Sequence, residues 1–275
     1  MPARFGIHHG PSEHVKRSAA LIWGYTVLRP GLDIHVMRQT TATGHLTTIG
    51  ESGSTHPPST VIRHRLTSPE GAVTRHDGLA VLNPEYVMVE LLSHPDPLTA
   101  IVGAESAIAQ YLTPSPWDRQ RTEREWATLK ERLLEISEMH PSRRYKARVR
   151  KRLDIIGPHS QSPAERLAVC RLWQGGVRDL TQQLPWPADN PRFFLDFGNR
   201  EKGVAIEVDG RLKYGGASGA TALYREKVRE DALRFDFPHF IRVGWDDLWS
   251  PHSVAALRRR IPQALLSERP LRKLP

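Results

Sequence analysis

The sequence predicts an α/β protein with a small α/β domain at 1–115, a charged helical connector at 116–157 and a second α/β domain at 158–275. Three observations carry this reading. Short segments that alternate polar and apolar residues, as strands do, are interleaved with segments whose apolar residues recur every three or four positions, as in helices. Pro114 and Pro116 mark a break, and a strongly charged stretch follows them. Beyond that stretch, carboxylates sit in the middle of apolar strand patterns rather than at their tips.

Bulk properties narrow the classes. At 39% hydrophobic and 25% charged, the 275 residues have the composition of a soluble globular chain. No apolar run approaches the roughly 18 residues of a membrane span, and Met1-Pro-Ala-Arg-Phe lacks the apolar core of a signal peptide. The expected location is the cytoplasm. Cys170 is the single cysteine, which excludes an intrachain disulfide and a cysteine-rich zinc site; its apolar helical setting makes it a core residue. The net charge of +9 favours a polyanionic partner such as nucleic acid, although an Arg-rich proteome would give the same excess.

In the first domain, Val15 to Leu28 forms a short helix and an apolar turn. Asp33-Ile-His-Val-Met-Arg, Val61-Ile-Arg-His-Arg-Leu and Gly78-Leu-Ala-Val-Leu form strands, with a Thr/Ser/Gly/Pro-rich hairpin loop over Thr40 to Thr60. Asn83-Pro84-Glu85 supplies an N-cap, a proline at the first helical position and an acid in the first turn. That helix buries Val87, Val89, Leu91 and Leu92. A second, from Pro97 to Leu112, buries Ile101, Val102, Ala107 and Ile108. No phosphate loop, nucleophile elbow or metal motif stands here; His8 and His9 are adjacent and would point apart.

In the connector, Glu123 to Met139 is an amphipathic helix with Trp126, Leu129, Leu133, Leu134 and Ile136 on its apolar side. The run Arg143-Arg-Tyr-Lys-Ala-Arg-Val-Arg-Lys-Arg follows. Its Arg144, Lys146 and Arg148 are candidates for phosphate contact; a solvated helix face is the alternative.

The second domain opens with Ser162-Pro-Ala-Glu165: Ser162 as N-cap, Pro163 at the first position and Glu165 completing a capping box. Glu165 is therefore a cap, a metal ligand, or both. The helix ends at Gly175-Gly176. A strand over Pro191 to Phe197 places Asp196 opposite the face of Phe193, Leu195 and Phe197. In Val204-Ala-Ile-Glu-Val-Asp-Gly, Glu207 and Asp209 share one face, and a hairpin of suitable register brings Asp196 beside them. Carboxylates gathered this way repel unless hard-ion binding offsets the repulsion, and Mg²⁺ or Mn²⁺ is the matching cofactor. Such an ion polarises a phosphate oxygen and generates hydroxide. A solvent-facing acidic edge is the alternative.

Taken together, Ser162-Pro-Ala-Glu165, Asp196, Glu207-Val-Asp-Gly210, Lys213-Tyr214, Arg225-Glu-Lys-Val-Arg229-Glu-Asp231-Ala-Leu233 and Arg242-Val-Gly-Trp245-Asp-Asp-Leu248 resemble the PD-(D/E)XK nuclease superfamily. The branch that they resemble most contains the very-short-patch-repair endonucleases. The resemblance implies a restriction-endonuclease-like α/β domain, a central mixed sheet flanked by helices, that hydrolyses phosphodiester bonds in DNA. It implies Glu165, Asp196 and Glu207 as metal ligands. Asp209 stands where the superfamily usually has lysine, so Lys213 is the candidate to steady the attacked phosphate, with Arg229 next. Arg225 and Arg229 line a nucleic-acid cleft or lie on a charge-paired solvent face; Tyr224, Val228, Ala232 and Phe235 form the packing stripe of their helix. Trp245 is expected in the core. Ser18-Ala-Ala, Trp23-Gly24, Asp33-Ile-His-Val, Val61-Ile-Arg-His and Gly78-Leu-Ala-Val further resemble actinobacterial proteins related to AbiEi antitoxins, without their winged helix. That likeness implies a different role: a non-catalytic antitoxin or regulator, bound to nucleic acid or to a toxin partner protein.

Overall fold

The computed structural model describes residues 13–28, 33–37, 47–49, 59–64, 69–187, 193–209, 220–250, 252–267 and 273–275. His8, His9 and Lys213 lie outside the described residues, and so does the side chain of Arg225. The protein is mixed α/β, as its sequence predicts. No helix among the described residues is long and apolar enough to cross a membrane. The chain divides into two compact units, 1–107 with 131–149 and 108–130 with 150–275.

The first unit contains strands β1 (Glu13–His14), β2 (Ile34–Met37), β3 (Thr47–Ile49), β4 (Ser59–His64), β5 (Val73–His76) and β6 (Leu79–Leu82). They form one sheet in the order β3-β4-β2-β1-β6-β5, with β2/β4 and β1/β6 parallel and the other pairs antiparallel. Helix α1 (Lys16–Ile22) packs on β2 and on helix α2 (Pro84–Ser93). The Asn83 side chain accepts a 3.2 Å hydrogen bond from the Tyr86 N–H, with Pro84 at the first helical position, so the expected cap is in place. Strand β5 was not expected. Asp77 and Gly78 (φ 49° and 80°) turn it into β6, in the left-handed pair that a two-residue hairpin requires.

The unit boundary falls within helices α3 (Pro97–Leu112), α4 (Arg119–Glu138) and α5 (Arg143–Leu153). Trp126, Leu129, Leu133 and Ile136 of α4 are buried, and Leu134 half-buried.

The second unit is built on helix α6 (Pro163–Gln174), strands β7 (Thr181–Trp186), β8 (Phe193–Asn199) and β9 (Val204–Asp209), helix α7 (Ala220–Asp236) and strand β10 (His239–Gly244). Two short helices follow, α8 (Trp245–Trp249) and α9 (Ser253–Arg260). The sheet order is β10-β9-β8-β7, with β7–β8–β9 antiparallel and β10 parallel to β9. Helix α6 ends in a Schellman arrangement: the Val177 N–H bonds the Leu172 carbonyl, with Gly176 at φ 73°. Leu184, Trp186, Leu195, Ala205, Leu233, Phe237 and Phe240 cluster in the core. Cys170 is fully buried, as expected.

The expected packing stripe of α7 is overturned. Val228 is 50% and Phe235 87% exposed, and Ala232 is exposed as well; Leu233 and Phe237 are the buried pair. The reason is an ion pair. Arg229 turns inward to a carboxylate on β9, and that fixes the rotation of the helix. Trp245, expected in the core, is half-buried and stacks on Trp249 with centroids 5.7 Å apart; Leu248 is the buried residue of α8.

Candidate acidic centre

Strands β8 and β9 pair Asn199 with Val204, Gly198 with Ala205 and Phe197 with Ile206. The ladder stops there, and the next residue of β8 is Asp196. Its Oδ2 accepts a 2.7 Å hydrogen bond from the Val208 N–H. A side-chain carboxylate thus continues the pairing that the backbone has given up, and it lies against the peptide that follows Glu207. The hairpin thus brings the Asp196 carboxylate to the backbone of β9.

Glu207 points toward α7, on the side where Ala205 meets Leu233 and Phe237. Its side chain is only 14% exposed. The Arg229 guanidinium grips it in two-pronged fashion, Nη1 at 2.8 Å from Oε1 and Nη2 at 3.2 Å from Oε2. Arg242, in register with Glu207 on the neighbouring parallel strand, places Nη2 3.6 Å from Glu207 Oε2 and 3.3 Å from Glu230 Oε2. The guanidiniums of Arg229 and Arg242 stand over the rings of Phe193 and Phe240, each at 5.6 Å from the centroid. Asp209, half-buried at the end of β9, is in register with Gly244.

Glu165 is buried near the start of α6. Its N–H bonds the Ser162 hydroxyl at 3.2 Å, as the cap predicts. Its carboxylate, however, reaches past the N-cap residue to the Gln161 N–H (2.8 Å), and the same Oε2 accepts from Gln183 Nε2 at 3.3 Å. Gln183 interrupts β7 in the left-handed region, φ 49°. The flanking pairs are Gln182 with Phe197 and Leu184 with Leu195, so Gln183 sits level with Asp196 without pairing to it. A non-glycine residue held in this conformation stores strain. Beside it, Gly198 admits no side chain: a Cβ there would lie 2.6 Å from Leu184 Cδ2 and 3.2 Å from the Val204 carbonyl.

The sequence-derived candidates are thus distributed as follows. Asp196 is bonded to the N–H of the residue that follows Glu207, and Asp209 lies at the end of the strand that carries Glu207. Glu165 is held by Gln161 and Gln183, and among the described residues no three Asp, Glu, His or Cys side chains gather closely enough to hold a metal ion. Arg229 joins the acidic centre directly. On α5, Arg144 is exposed, Lys146 pairs with Glu138 at 3.1 Å, and Arg148 donates to the Ser93 carbonyl at 3.1 Å. Sequence reasoning missed Arg242 and Gln183. Arg242 had a signal, as a charge in the middle of the apolar run His239-Phe-Ile-Arg-Val; Gln183 had none, because nothing in Thr-Gln-Gln-Leu-Pro marks a left-handed residue.

No family model, curated protein or solved structure matches this chain.

Proposed function

We propose that the second unit is a divalent-metal-dependent nuclease-type centre that hydrolyses phosphodiester bonds in DNA. The observation that carries the proposal is the seating of the Asp196 carboxylate on the Val208 N–H, beside Glu207, where the β8/β9 ladder ends. The chain order, a capped helix, an acid-bearing hairpin, a basic helix and a parallel strand, agrees with the superfamily that the motifs resemble.

The donor set fits a hard ion. Asp196 and Glu207 carry oxygen ligands on neighbouring strands, and they are the residues that would hold Mg²⁺ or Mn²⁺, with Glu165 as the third candidate. The ion would polarise the phosphate and supply hydroxide. This chain's own residues do the rest. Val208 orients Asp196, and Gln183 orients Glu165. Arg229 and Arg242 provide the fixed positive charge that stabilises an anionic phosphorane, a task the absent family lysine leaves open at Asp209. Lys213 is the further candidate for that task.

The test is conversion of supercoiled plasmid by the full chain with Mg²⁺ or Mn²⁺. The parent is expected to nick or linearise it, and Asp196→Ala and Glu207→Ala to lose that activity. Equal conversion by all three overturns the proposal. A second reading, a non-catalytic regulator of antitoxin type that binds nucleic acid or a toxin partner through the same fold, is favoured by one observation. The two-pronged grip of Arg229 already neutralises Glu207 without an ion. DNA binding that is indifferent to metal, with no cleavage, is its expected outcome.

A further inference from the structure

The first unit holds a cavity of about 220 Å³ that the acidic centre does not use. Lys16 and Arg17 at the start of α1, Glu90 and His94 at the end of α2, and His140 and Tyr145 line it. Its charges are unbalanced. Neither Lys16 nor Arg17, both half-buried, has an ion-pair partner among the described residues. The Glu90 carboxylate is engaged by Tyr145, whose hydroxyl donates to Glu90 Oε1 at 3.3 Å. Burial pushes the Glu90 carboxyl up, against the opposing effect of Lys16. Burial, and then Glu90, push the Tyr145 phenol up, so that it stays a donor. Burial, and then Lys146, push His140 down, so its ring is neutral and stacks flat on Tyr145 with centroids 3.8 Å apart.

We propose that this cavity binds a phosphate monoester, with Lys16 and Arg17 as its counter-charges and the His94 and His140 rings, whose Nδ1 atoms already accept from Asp96 and Ser142, as hydrogen-bond donors. The charge count selects the ligand. Lys16 and Arg17 outnumber the one carboxyl group of Glu90, whose ionised form burial disfavours, and a monoester, at about −1.5 to −2 with three acceptor oxygens, can meet both cations at once. The cavity volume admits one phosphate with a small attached group and not a duplex backbone. The ligand is therefore a free mononucleotide-like ester or the 5′-phosphate end of a single strand, and the two sources share the same chemistry.

The experiment is calorimetry on the full chain in EDTA, so that no nuclease activity enters and the outcome is independent of the acidic centre. The probes are deoxyadenosine monophosphate, a single-stranded hexanucleotide with a 5′-phosphate, and the same hexanucleotide with a 5′-hydroxyl. The phosphorylated strand is expected to bind at least tenfold more tightly than its hydroxyl counterpart. Arg17→Met is expected to abolish that difference, and Arg259→Met, at an exposed arginine of α9, to leave it intact. Thermal midpoints near the parent's certify that each variant is folded. Binding of the mononucleotide as well identifies a free ester as ligand; binding of the phosphorylated strand alone identifies a strand end. Equal affinity for phosphorylated and hydroxyl strands, no binding of either, or an undiminished preference in folded Arg17→Met overturns the proposal.

Discussion

Replacing Arg229 with methionine removes the two hydrogen bonds, 2.8 and 3.2 Å long, that hold the Glu207 carboxylate. Methionine keeps the aliphatic stem, so the change isolates the charge. Glu207 is 14% exposed and would be left as a mostly desolvated anion, for which loss of a buried partner costs about 3–5 kcal/mol. Two features reduce that figure. Arg242 remains 3.6 Å from Oε2, and Arg229 itself is 20% exposed. The expected destabilisation is about 2 kcal/mol. Removing the anion as well, in Glu207→Gln/Arg229→Met, should recover much of it, a coupling energy of about 1–2 kcal/mol. Urea unfolding followed by tryptophan fluorescence measures all four corners of the cycle, since Trp186 sits in the core that α7 covers. A variant that unfolds at the parent's urea concentration, or single effects that simply add, would refute the inward ion pair and the rotation of α7 derived from it.

Three further outcomes follow from the same structure. Desolvation, then Lys16 and His35, push His64 down to about 4, while desolvation, then Arg17 and Lys16, lower His35; the two rings share a 2.8 Å hydrogen bond. Unfolded imidazoles take up protons near pH 6.5 and the folded pair resists, so this stability is complete above about 6.5 and is lost as pH falls toward 4. His64→Gln should therefore show a shallower loss of thermal midpoint between pH 7 and 4 than the parent, and parallel curves would contradict this. Gly198→Ala should cost about 1–3 kcal/mol, because its Cβ meets Leu184 Cδ2 at 2.6 Å; a neutral effect in urea unfolding would show that Leu184 moves aside freely. On α7, Phe235→Lys should change stability by no more than about 0.5 kcal/mol and Leu233→Ala should cost about 2–5 kcal/mol; the reverse order in thermal denaturation would restore the stripe that the sequence suggested.

The helices whose ends carry chemistry were legible. Asn83-Pro84 and Ser162-Pro163 announce their caps in side chains that do the capping, and the apolar positions of α2, α3 and α4 recur at helical spacing. Strands β8 and β9 were legible because their apolar residues alternate on both sides of the hairpin. Strand β7 was not. Pro185 and two glutamines argue against a strand, yet β7 is an edge strand, where a proline is tolerated. Strand β5 was passed over although Asp77-Gly78 was a usable hairpin signal. The misreading of α7 has one cause. Hydrophobicity assigns the apolar stripe to the inside, and an arginine that turns inward to meet Glu207 reverses the assignment. For the acidic centre, spacing found Asp196 and Glu207, and only the fold revealed that two arginines stand against them.

The central claim is that Asp196 and Glu207 form a centre for a divalent cation, held closed by Arg229. Calorimetric titration of Mn²⁺ into the full chain tests it most directly. The parent should bind, Asp196→Asn should bind at least tenfold more weakly, and Arg229→Met should bind more tightly than the parent because Glu207 no longer has to be released. Identical isotherms for parent and Asp196→Asn, or no binding even in Arg229→Met, would contradict it.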